Sequence, residues 1–304
     1  MTRAKTSDLA KGKWRGILLT LGVGDQFLTG KHAPCPVCGG RDRFRFDNRD
    51  GSGSFICSQC GGGTGFKLLE LVKGWDFRTA AAEVDRIIGR VEVEPVKPGL
   101  DPERRKKMLN GLWKGGETIT PGDPVQRYLE GRGLDLPQNR DCLRFVASCP
   151  VPDEVGARPA MVAMVSGPDG KPVTLHRTFL GPNGKADMPE PRALMPGQVP
   201  DGAAVRLSMH GDRLGIAEGI ETALAASKRF GLPVWAAINS TMMVKWLPPE
   251  GVKQIVVFGD NDPKFGGAAA AYVLAHRLAA RLHLDVEVRI PERTGCDWAD
   301  RDAA

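Results

Sequence analysis

The chain has 304 residues, of which 41% are hydrophobic and 26% are charged, as is typical of soluble globular proteins. No apolar run approaches the ~18 residues of a membrane span, and no GxxxxGK phosphate loop is present, which argues against an NTP-hydrolysing motor. The net charge of +6 lies within residues 1–90, which hold 15 Lys and Arg against 9 Asp and Glu. A basic excess confined to one third of the chain predicts a polyanionic partner, most often nucleic acid.

The N-terminal third begins with a predicted helix and continues into a cysteine-rich segment. The helix starts at Ser7 or Asp8, either of which can cap it, and runs to about Leu21. A hairpin is expected from His32 to Cys60, followed by two short helices, "FKLLELVKG" and "RTAAAEVDRIIG". The stretch "VEVEPVKPGLDPE" combines prolines with mixed charge and is predicted to be a linker.

Four of the seven cysteines form two CxxC pairs, Cys35 with Cys38 and Cys57 with Cys60, separated by 18 residues. Each CxxC turn presents two sulfurs on one side, and the hairpin brings the turns together, as a tetrahedral site requires. We predict one structural Zn²⁺, with His32 as an alternative to one thiolate. The other cysteines are expected to be small apolar fillers: Cys142, Cys149 and Cys296. This cysteine usage, with an N-terminus unlike a signal peptide, predicts a reducing, cytoplasmic location.

Basic and aromatic residues alternate inside the predicted hairpin. Arg41, Arg43 and Arg45 occupy every second position. Phe44 lies between the last two arginines, and Phe46 follows Arg45. On a strand this pattern sends the arginines to one face and the phenylalanines to the other. The arginine face is either a solvated outer surface or a surface that contacts nucleic acid, and the local charge favours nucleic acid.

The remainder of the chain changes from mixed elements to regular alternation. Helices are expected to begin again at Pro102 and Pro124, each after an aspartate that can cap it. Residues 142–207 are predicted to be strands and loops, with "AMVAMV" and "VTLHRTFL" as the clearest strands. The predicted elements from Arg213 are strand "RLGIAEG", helix 220–230, strand "PVWAAI", a short helix near 241–247, strand "QIVVFGD", helix 266–283 and strand "DVEVRI". This alternation predicts a parallel sheet with helices on both faces.

Acidic residues stand at the ends of two of these strands. Glu218 ends "GIAEG", while Asp260 and Asp262 end "VVFGD" and follow it. Ligands of open α/β sheets bind at the carboxyl edge of the strands, and carboxylates gathered there can hold Mg²⁺. The cation would also remove the repulsion between the two aspartates. A solvated turn is the alternative for the Asp-rich segment.

Two pairs of motifs resemble known families. "GIAEGIETALAAS" with "VVFGDNDPKFGG" resembles the Toprim domain of bacterial-type primases, some topoisomerases and some nucleases. "KHAPCPVCGGRDRFRFDN" with "SFICSQCGGGTGF" resembles the zinc-binding domain of phage and plasmid primases. The motifs occur in the order that those primases use, and with "YLEGRGL", "LHRTFL" and "GKA" between them they cover most of the chain. Their combination is far more specific than either motif alone.

The resemblance implies an α/β multidomain protein. Its expected parts are an N-terminal zinc ribbon with helices, a mixed α+β middle subdomain and a C-terminal Toprim subdomain with a Rossmann-like parallel sheet. The corresponding boundaries are a template-binding zinc ribbon at 1–90, a linker at 91–105, the N-terminal subdomain of the RNA polymerase domain at 106–212 and the Toprim subdomain at 213–304.

The implied activity is that of a DNA primase, a DNA-directed RNA polymerase that makes short RNA primers with Mg²⁺ or Mn²⁺. Its expected partners are a single-stranded DNA template and ribonucleoside triphosphates, with no membrane. The resemblance to phage and plasmid proteins implies a mobile element. Because primases of this type often continue into a helicase and this sequence ends at Ala304, unwinding is expected from a separate replicative helicase.

The resemblance also implies roles for individual residues. Glu218 would assist proton removal from the attacking 3′-hydroxyl or hold metal, and Asp260 and Asp262 would bind Mg²⁺. Arg177 and Lys185 match basic positions of the middle region and would hold template or NTP phosphates. Weaker candidates, for which a helix face or a surface turn serves equally well, are Arg127, Arg132, Asp297 and Asp300.

Other functions use the same motifs. A Toprim nuclease would employ the same carboxylates to activate water. A non-catalytic zinc-ribbon DNA-binding protein would explain the basic N-terminal third but would leave the acidic residues unused. A topoisomerase needs a catalytic tyrosine, and the two tyrosines, Tyr128 and Tyr272, both fall in helical patterns.

Overall fold

The computed structural model describes residues 5–93, 101–152 and 156–300. The chain divides into two compact units, Met1–Asp101 and Pro102–Ala304. Part of the predicted linker, residues 94–100, lies outside the described residues, and its C-terminal end is helical because a helix begins at Pro102. Within the described ranges, no helix combines the length and the apolar character needed to cross a membrane.

The first unit combines short helices with an antiparallel sheet of order β1-β2-β3-β4. Its described helices and strands are α1 (Thr6–Ala10), α2 (Trp14–Thr20), β1 (Ala33–Cys35), β2 (Gly39–Phe46), β3 (Phe55–Cys57), β4 (Gly61–Gly63), α3 (Gly65–Lys73) and α4 (Phe77–Ile87), with 3₁₀ turns at Asp25–Phe27, Arg49–Gly51 and Ile88–Arg90.

The single N-terminal helix predicted from the sequence is in fact two helices. Gly12 separates them with a left-handed φ of 78°, a conformation that an L-residue with a side chain seldom adopts. The backbone N–H of Gly12 donates to the carbonyl of Gly51 at 2.8 Å and not to a helical partner. This long-range hydrogen bond, which the local sequence does not reveal, ends α1 at Ala10.

The core of the first unit forms where α2 and α3 meet the inner face of the sheet. Phe44 and Phe46 of β2 and Phe55 of β3 are buried in it, and Phe44 and Phe55 stack with their centroids 5.6 Å apart. Trp14 is 2% exposed and packs edge-on against Phe66 of α3 at 4.7 Å. The alternation of arginine and phenylalanine along β2 therefore supplies the aromatic half of this core.

The second unit contains an antiparallel and a parallel sheet. Its described helices and strands are α5 (Pro102–Lys114), α6 (Pro124–Gly131), β5 (Leu143–Pro150), β6 (Ala157–Ser166), β7 (Pro172–Gly181), β8 (Gly184–Lys185), β9 (Arg192–Leu194), β10 (Arg213–Ala217), α7 (Ile220–Phe230), β11 (Val234–Ala236), α8 (Ser240–Lys245), β12 (Gln254–Phe258), α9 (Gly266–Leu282) and β13 (Asp285–Arg289), with a 3₁₀ turn at Arg140–Cys142.

The βα alternation predicted a parallel sheet, and the structure contains one, with the strand order β11-β10-β12-β13. In this sheet Ala217 is in register with both Phe258 and Ala236, so three strands end at one edge. Alternate residues of the strands face opposite sides. Ala217 and Phe258 share a core with α7, whereas Ile216 and Val257 share another core with α8 and α9. Helices thus cover both faces, as expected.

The antiparallel sheet has the order β5-β6-β7-β8, and β9 pairs with another part of β7. One of its faces contributes Met161 and Leu180 to the core that contains the buried side of α7, while the other contributes Val162 and Phe179 to a core beside α5. Helix α7 therefore lies between the two sheets. This position explains why every residue from 220 to 226 is buried, including polar ones.

Gly65, the first residue of α3, provides a test of packing in the first unit. An alanine Cβ at this position would lie 2.0 Å from Cε3 of Trp14, which is itself buried. We expect Gly65→Ala to destabilise the zinc-loaded unit by about 1–3 kcal/mol, because an overpacked core must shift. Hydrogen exchange of the α2 and α3 amides measures the effect. Gly89→Ala is the control, since its Cβ would meet nothing within 4 Å, and equal exchange in the two variants would contradict the expectation.

Candidate zinc site and carboxylate site

The four cysteines of the CxxC pairs converge in the first unit. Their sulfurs lie within 4.8 Å of one another, with Cys35 and Cys60 at 3.9 Å and Cys38 and Cys57 at 3.7 Å. A tetrahedron with metal–sulfur bonds of about 2.3 Å places its sulfurs about 3.8 Å apart. Backbone N–H groups of Val37 and Cys60 donate to the sulfurs of Cys35 and Cys57, as suits thiolates. The residues therefore fit one structural Zn²⁺.

His32 lies outside this group of sulfurs. Its Nδ1 is 2.9 Å from the carbonyl oxygen of Asp42, and its Nε2 is 3.5 Å from a guanidinium nitrogen of Arg45. Within the described part of the chain, the cysteines are the one group of three or more His, Cys, Asp or Glu whose ligand atoms all lie within 4.8 Å. The zinc site is complete without the histidine.

The arginines of β2 occupy the face opposite the buried phenylalanines, as the alternation predicted. Arg41 is exposed, whereas Arg43 and Arg45 are half-buried. Arg45 donates through Nε to Asp47 at 2.6 Å, and Arg43 lies over the backbone of Gly40. The structure thus places three cations on the outer side of the ribbon. Their contact with nucleic acid stays a prediction.

Glu218 and Asp260 lie at one edge of the parallel sheet because β10 and β12 are neighbouring strands that end together. Burial raises the pKa of Glu218, and the charges of Asp262 and Asp297 raise it further, against an opposing effect of Arg192. Burial and the charges of Glu218 and Asp297 raise the pKa of Asp260 to about 7. The arrangement is therefore one of half-buried carboxylates that have too little positive charge around them.

One oxygen of the Asp260 carboxylate indicates that a cation or a hydrogen-bond donor is required at the strand edge. Its Oδ1 is buried and has no hydrogen-bond partner, an arrangement that costs free energy unless a cation or a donor occupies the adjacent space. A hard divalent cation such as Mg²⁺ binds carboxylate oxygens of this kind. The chemistry of the residues at this edge therefore fits the predicted catalytic metal, while no three of the described carboxylates have oxygens that all lie within 4.8 Å of one another.

Asp262 differs from its neighbour in having fixed partners. Its Oδ1 accepts from the N–H of Lys264 at 3.0 Å, and its Oδ2 accepts from the N–H of Gly267 at 2.7 Å. Partial burial would raise the pKa of Asp262, but the backbone donors at the start of α9 outweigh it and lower the pKa. The helix terminus thus keeps this carboxylate ionised beside Asp260.

The C-terminal loop "GCDWAD" brings Asp297 to the same edge. The N–H of Asn261 donates to the carbonyl of Cys296 at 3.0 Å, and Trp298 packs edge-on against Phe258 at 5.9 Å. Burial raises the pKa of Asp297, whose charge in turn raises the pKa of Asp260 and Glu218. The sequence left open whether this aspartate lies in a surface turn; the structure places it in the carboxylate cluster of Glu218, Asp260, Asp262 and Asp297.

Asp300 plays a different part in the loop. Its Oδ2 accepts from the N–H of Asp297 at 2.9 Å, and the residue is exposed. Asp300 therefore shapes the turn that presents Asp297.

Two arginines near the carboxylate cluster come from distant parts of the chain. Arg192 of β9 lowers the pKa of Glu218 and Asp260, and its Nη1 would lie 3.9 Å from a Cβ built on Gly219. Arg132, a weaker candidate from the sequence, has a buried Nε without a hydrogen-bond partner and lowers the pKa of Asp297. Sequence reasoning missed Arg192, because a three-residue strand in a proline-rich loop carries no periodic signal.

Lys185 and Arg177, the two basic residues predicted to bind phosphates, both have partners within the protein. Lys185 Nζ is 3.2 Å from Oε1 of Glu221, which is buried, so its charge is directed at a carboxylate. Arg177 is 4% exposed, and its guanidinium donates to the carbonyls of Pro150 at 2.8 Å and Leu194 at 3.1 Å. The expectation that Arg177 contacts phosphate does not fit this position. Strand alternation is the reason, since it directs Arg177 to the α5 side of the sheet.

Glu221 of α7 is the centre of a second polar group, between the two sheets. Its Oε1 accepts from the hydroxyl of Tyr128 on α6 at 2.5 Å. Burial would raise the pKa of Glu221, but Lys185 and Tyr128 outweigh it and lower the pKa to about 2. Burial, assisted by the charge of Glu221, raises the pKa of Tyr128, which stays a donor. Burial also lowers the pKa of His176 to about 4, so this neighbour stays neutral.

Comparison with protein families agrees with this geometry. Residues 30–66 match the zinc-binding domain of primase-helicases, and residues 213–302 match the Toprim domain. Residues 103–207, between them, match a domain of unknown function. The resemblance drawn from the motifs is therefore confirmed: the chain has an N-terminal zinc-binding domain of the primase-helicase type and a C-terminal Toprim domain.

Solved primase structures are similar to the chain at low identity. A DNA primase domain from Pseudomonas aeruginosa is 16% identical, with a TM-score of 0.44, and the match covers 64% of this chain and 73% of that one. The zinc-binding and RNA polymerase domains of the Aquifex aeolicus primase are 15% identical, with a TM-score of 0.44 and coverages of 97% and 81%. The primase fragment of the bacteriophage T7 primase-helicase is 16% identical, with a TM-score of 0.39 and coverages of 88% and 91%.

The stability of the protein without Mg²⁺ tests the repulsion among the carboxylates. The raised pKa of Asp260 means that its ionisation costs folding free energy; this cost is absent below about pH 4, grows as the pH rises and is complete above about pH 7. We expect Asp260→Asn to raise the free energy of unfolding at pH 8 by on the order of 2 kcal/mol, and by less at pH 5. Thermal denaturation of the zinc-loaded protein at both pH values measures this.

Asp262→Asn is the matched control for that experiment. It removes the ionised acceptor at the start of α9, so the expected change at pH 8 has the opposite sign. A loss of stability in both variants would show that Asp260 is not under electrostatic strain.

Proposed function

We propose that the chain synthesises short RNA primers on single-stranded DNA by Mg²⁺- or Mn²⁺-dependent nucleotidyl transfer, with Glu218, Asp260 and Asp262 at the reacting centre. The observation that carries this proposal is the buried, unpartnered oxygen of Asp260 at the strand edge it shares with Glu218. Carboxylates that need a cation, in a chain that also has a primase-type zinc ribbon, support metal-dependent chemistry on nucleotides.

The reaction joins two nucleotides. The 3′-hydroxyl oxygen of one attacks the α-phosphorus of the next triphosphate, the hydroxyl loses its proton, and pyrophosphate leaves. Asp260 and Asp262 would hold the cation, together with Glu218 or Asp297. When bound, Mg²⁺ supplies positive charge that stabilises the charge developing on the phosphate oxygens. The raised pKa of Glu218 makes it a stronger proton acceptor than an ordinary carboxylate.

Substrate binding is proposed to use the cations around the carboxylate cluster. Arg192 and Arg132 stand beside the cluster on the side of the antiparallel sheet and α6, and guanidinium groups form strong charge-assisted hydrogen bonds with phosphates. The outer face of the ribbon, with Arg41, Arg43 and Arg45, would hold the template backbone.

The biological setting is proposed from the motifs. Their resemblance to phage and plasmid primases supports a role in the replication of a mobile element. A replicative helicase would supply unwinding, since primases of the type that the motifs resemble often continue into one.

Removal of single charges tests the catalytic assignment. We expect Glu218→Gln and Asp260→Asn each to fold and to lower primer synthesis by about 100-fold or more, because a proton acceptor or a metal ligand is lost with little change of shape. The assay measures incorporation of labelled ribonucleotides on single-stranded DNA of random sequence.

Asp169→Asn is the control for these variants. Asp169 is exposed, forms an ion pair with nearby Lys171, and is not part of the carboxylate cluster. Near-wild-type primer yield from Glu218→Gln or Asp260→Asn would overturn the assignment. Wild-type protein that cuts the DNA without incorporating ribonucleotides would establish the nuclease alternative instead.

The zinc ribbon is predicted to serve initiation. Cys57→Ser removes one of four zinc ligands, and so small a sheet buries too little apolar surface to remain folded without its metal. We expect this variant to fail to start primers on a natural template while it still extends a supplied short primer. Rates of initiation and extension, with zinc content determined on the same samples, measure the difference.

Cys142→Ala, a change outside the ribbon, should keep one zinc ion and both activities. Equal loss of initiation and extension in Cys57→Ser, with the second unit still folded, would mean that the ribbon forms part of the polymerising site.

A further inference from the structure

The Lys185–Glu221–Tyr128 group connects the carboxylate cluster to the antiparallel sheet. Glu221 is the second residue of α7 and follows Glu218 by three positions. Its side chain is held from two directions, by the hydroxyl of Tyr128 on α6 and by the ammonium of Lys185 on β8. Two elements that precede the Toprim domain therefore bind the first turn of the helix that follows Glu218.

The other oxygen of Glu221 points back toward the strand end. A Cβ built on Gly219 would lie 3.7 Å from Oε2 of Glu221 and 3.4 Å from the hydroxyl of Thr222, with the guanidinium of Arg192 at 3.9 Å. Gly219 is buried and precedes α7. The backbone of the residue after Glu218 is thus enclosed by these side chains, so movement of Glu221 would be transmitted to Glu218.

Burying the carboxylate of Glu221 costs free energy that apolar packing of α7 would not. Taking a charge out of water costs several kcal/mol per ion, and apolar residues of the same volume often give equal or greater stability. The polar group instead fixes a position. A carboxylate that accepts from Tyr128 and pairs with Lys185 is held more narrowly than a side chain with apolar contacts alone. The position that it fixes adjoins Glu218.

We propose that Glu221 is a positioning residue, which with Tyr128 and Lys185 holds Gly219, and through it Glu218, in place for metal binding and proton transfer. The proposal rests on the proposed function. It assigns Lys185 a role that differs from phosphate binding: Lys185 acts through Glu221.

Kinetics separate the two roles of Lys185. The variants are Tyr128→Phe, Lys185→Met, Glu221→Gln and the double variant Lys185→Met/Glu221→Gln, each checked for folding by circular dichroism. If Lys185 acts through Glu221, each single change lowers kcat by about 10-fold or more, as small misplacements of reacting groups do, with the KM for NTP altered by less than about 2-fold. The double variant is then no worse than the poorer single variant.

The matched control is Lys228→Met. Lys228 lies on the same helix, and its Nζ forms an exposed ion pair with Asp135 at 3.0 Å. Its removal should leave kcat and KM unchanged. A raised KM for NTP in Lys185→Met that persists in the Glu221→Gln background would identify Lys185 as a phosphate ligand and overturn the proposal. So would wild-type kcat in both Tyr128→Phe and Glu221→Gln.

Metal binding gives a second readout that does not depend on primer synthesis. Mn²⁺ binding to the zinc-loaded protein, followed by electron paramagnetic resonance without DNA or NTP, should be about 10-fold weaker or more in Tyr128→Phe and Glu221→Gln. Loss of the signal in Asp260→Asn identifies it as that of the carboxylate cluster. Unchanged Mn²⁺ affinity in both folded variants would overturn the proposal.

The two readouts distinguish failure of the proposal from failure of the proposed function. Wild-type protein that binds Mn²⁺ but makes no primer contradicts the proposed function, and the Mn²⁺ affinities of the variants still decide the positioning role. If Glu221→Gln does not fold, Tyr128→Phe decides, because it keeps the aromatic ring and the ion pair and removes a single hydroxyl.

Discussion

Repulsion among carboxylates at one edge of the parallel sheet is the constraint around which the second unit is organised. Burial raises the pKa of both Glu218 and Asp260; the charge of Glu218 raises the pKa of Asp260 further, and the charge of Asp297 raises both. The fold offsets part of this repulsion with the donors at the start of α9, which stabilise Asp262, and with Arg192. The buried oxygen of Asp260 that has no partner shows that the offset is incomplete, and a divalent cation would complete it.

Helix α7 carries this constraint into the rest of the unit. It begins just after Glu218 and lies between the parallel and antiparallel sheets, so its first two turns are buried on every side. A helix in that position normally presents apolar residues all round. Here one buried residue, Glu221, is charged and is held by Tyr128 and Lys185. The helix therefore joins the two sheets through directional contacts as well as through apolar packing.

Local sequence patterns were sufficient to predict the zinc site, the parallel sheet and the placement of Glu218 and Asp260 at one edge of it. Each CxxC pair places its own sulfurs, and a hairpin of that length has to bring Cys35 and Cys57 together, so spacing alone predicted the ligands. Strand and helix periodicity gave the order of the βα units. Because parallel strands end at the same edge, the positions of Glu218 and Asp260 in the sequence also predicted that they would meet.

The sequence by itself thus determined which elements form and which residues end them, because those properties depend on neighbours within a few positions. Tertiary structure alone decided which distant side chains reach the carboxylate cluster. Asp297 is positioned by an isolated β-bridge between Asn261 and Cys296. Arg192 lies on a three-residue strand that pairs with β7. Tertiary structure also decided which face of β7 carries each basic residue, so that Arg177 is enclosed by carbonyl oxygens in a core. Such contacts join residues far apart in the chain, and no short-range pattern encodes them.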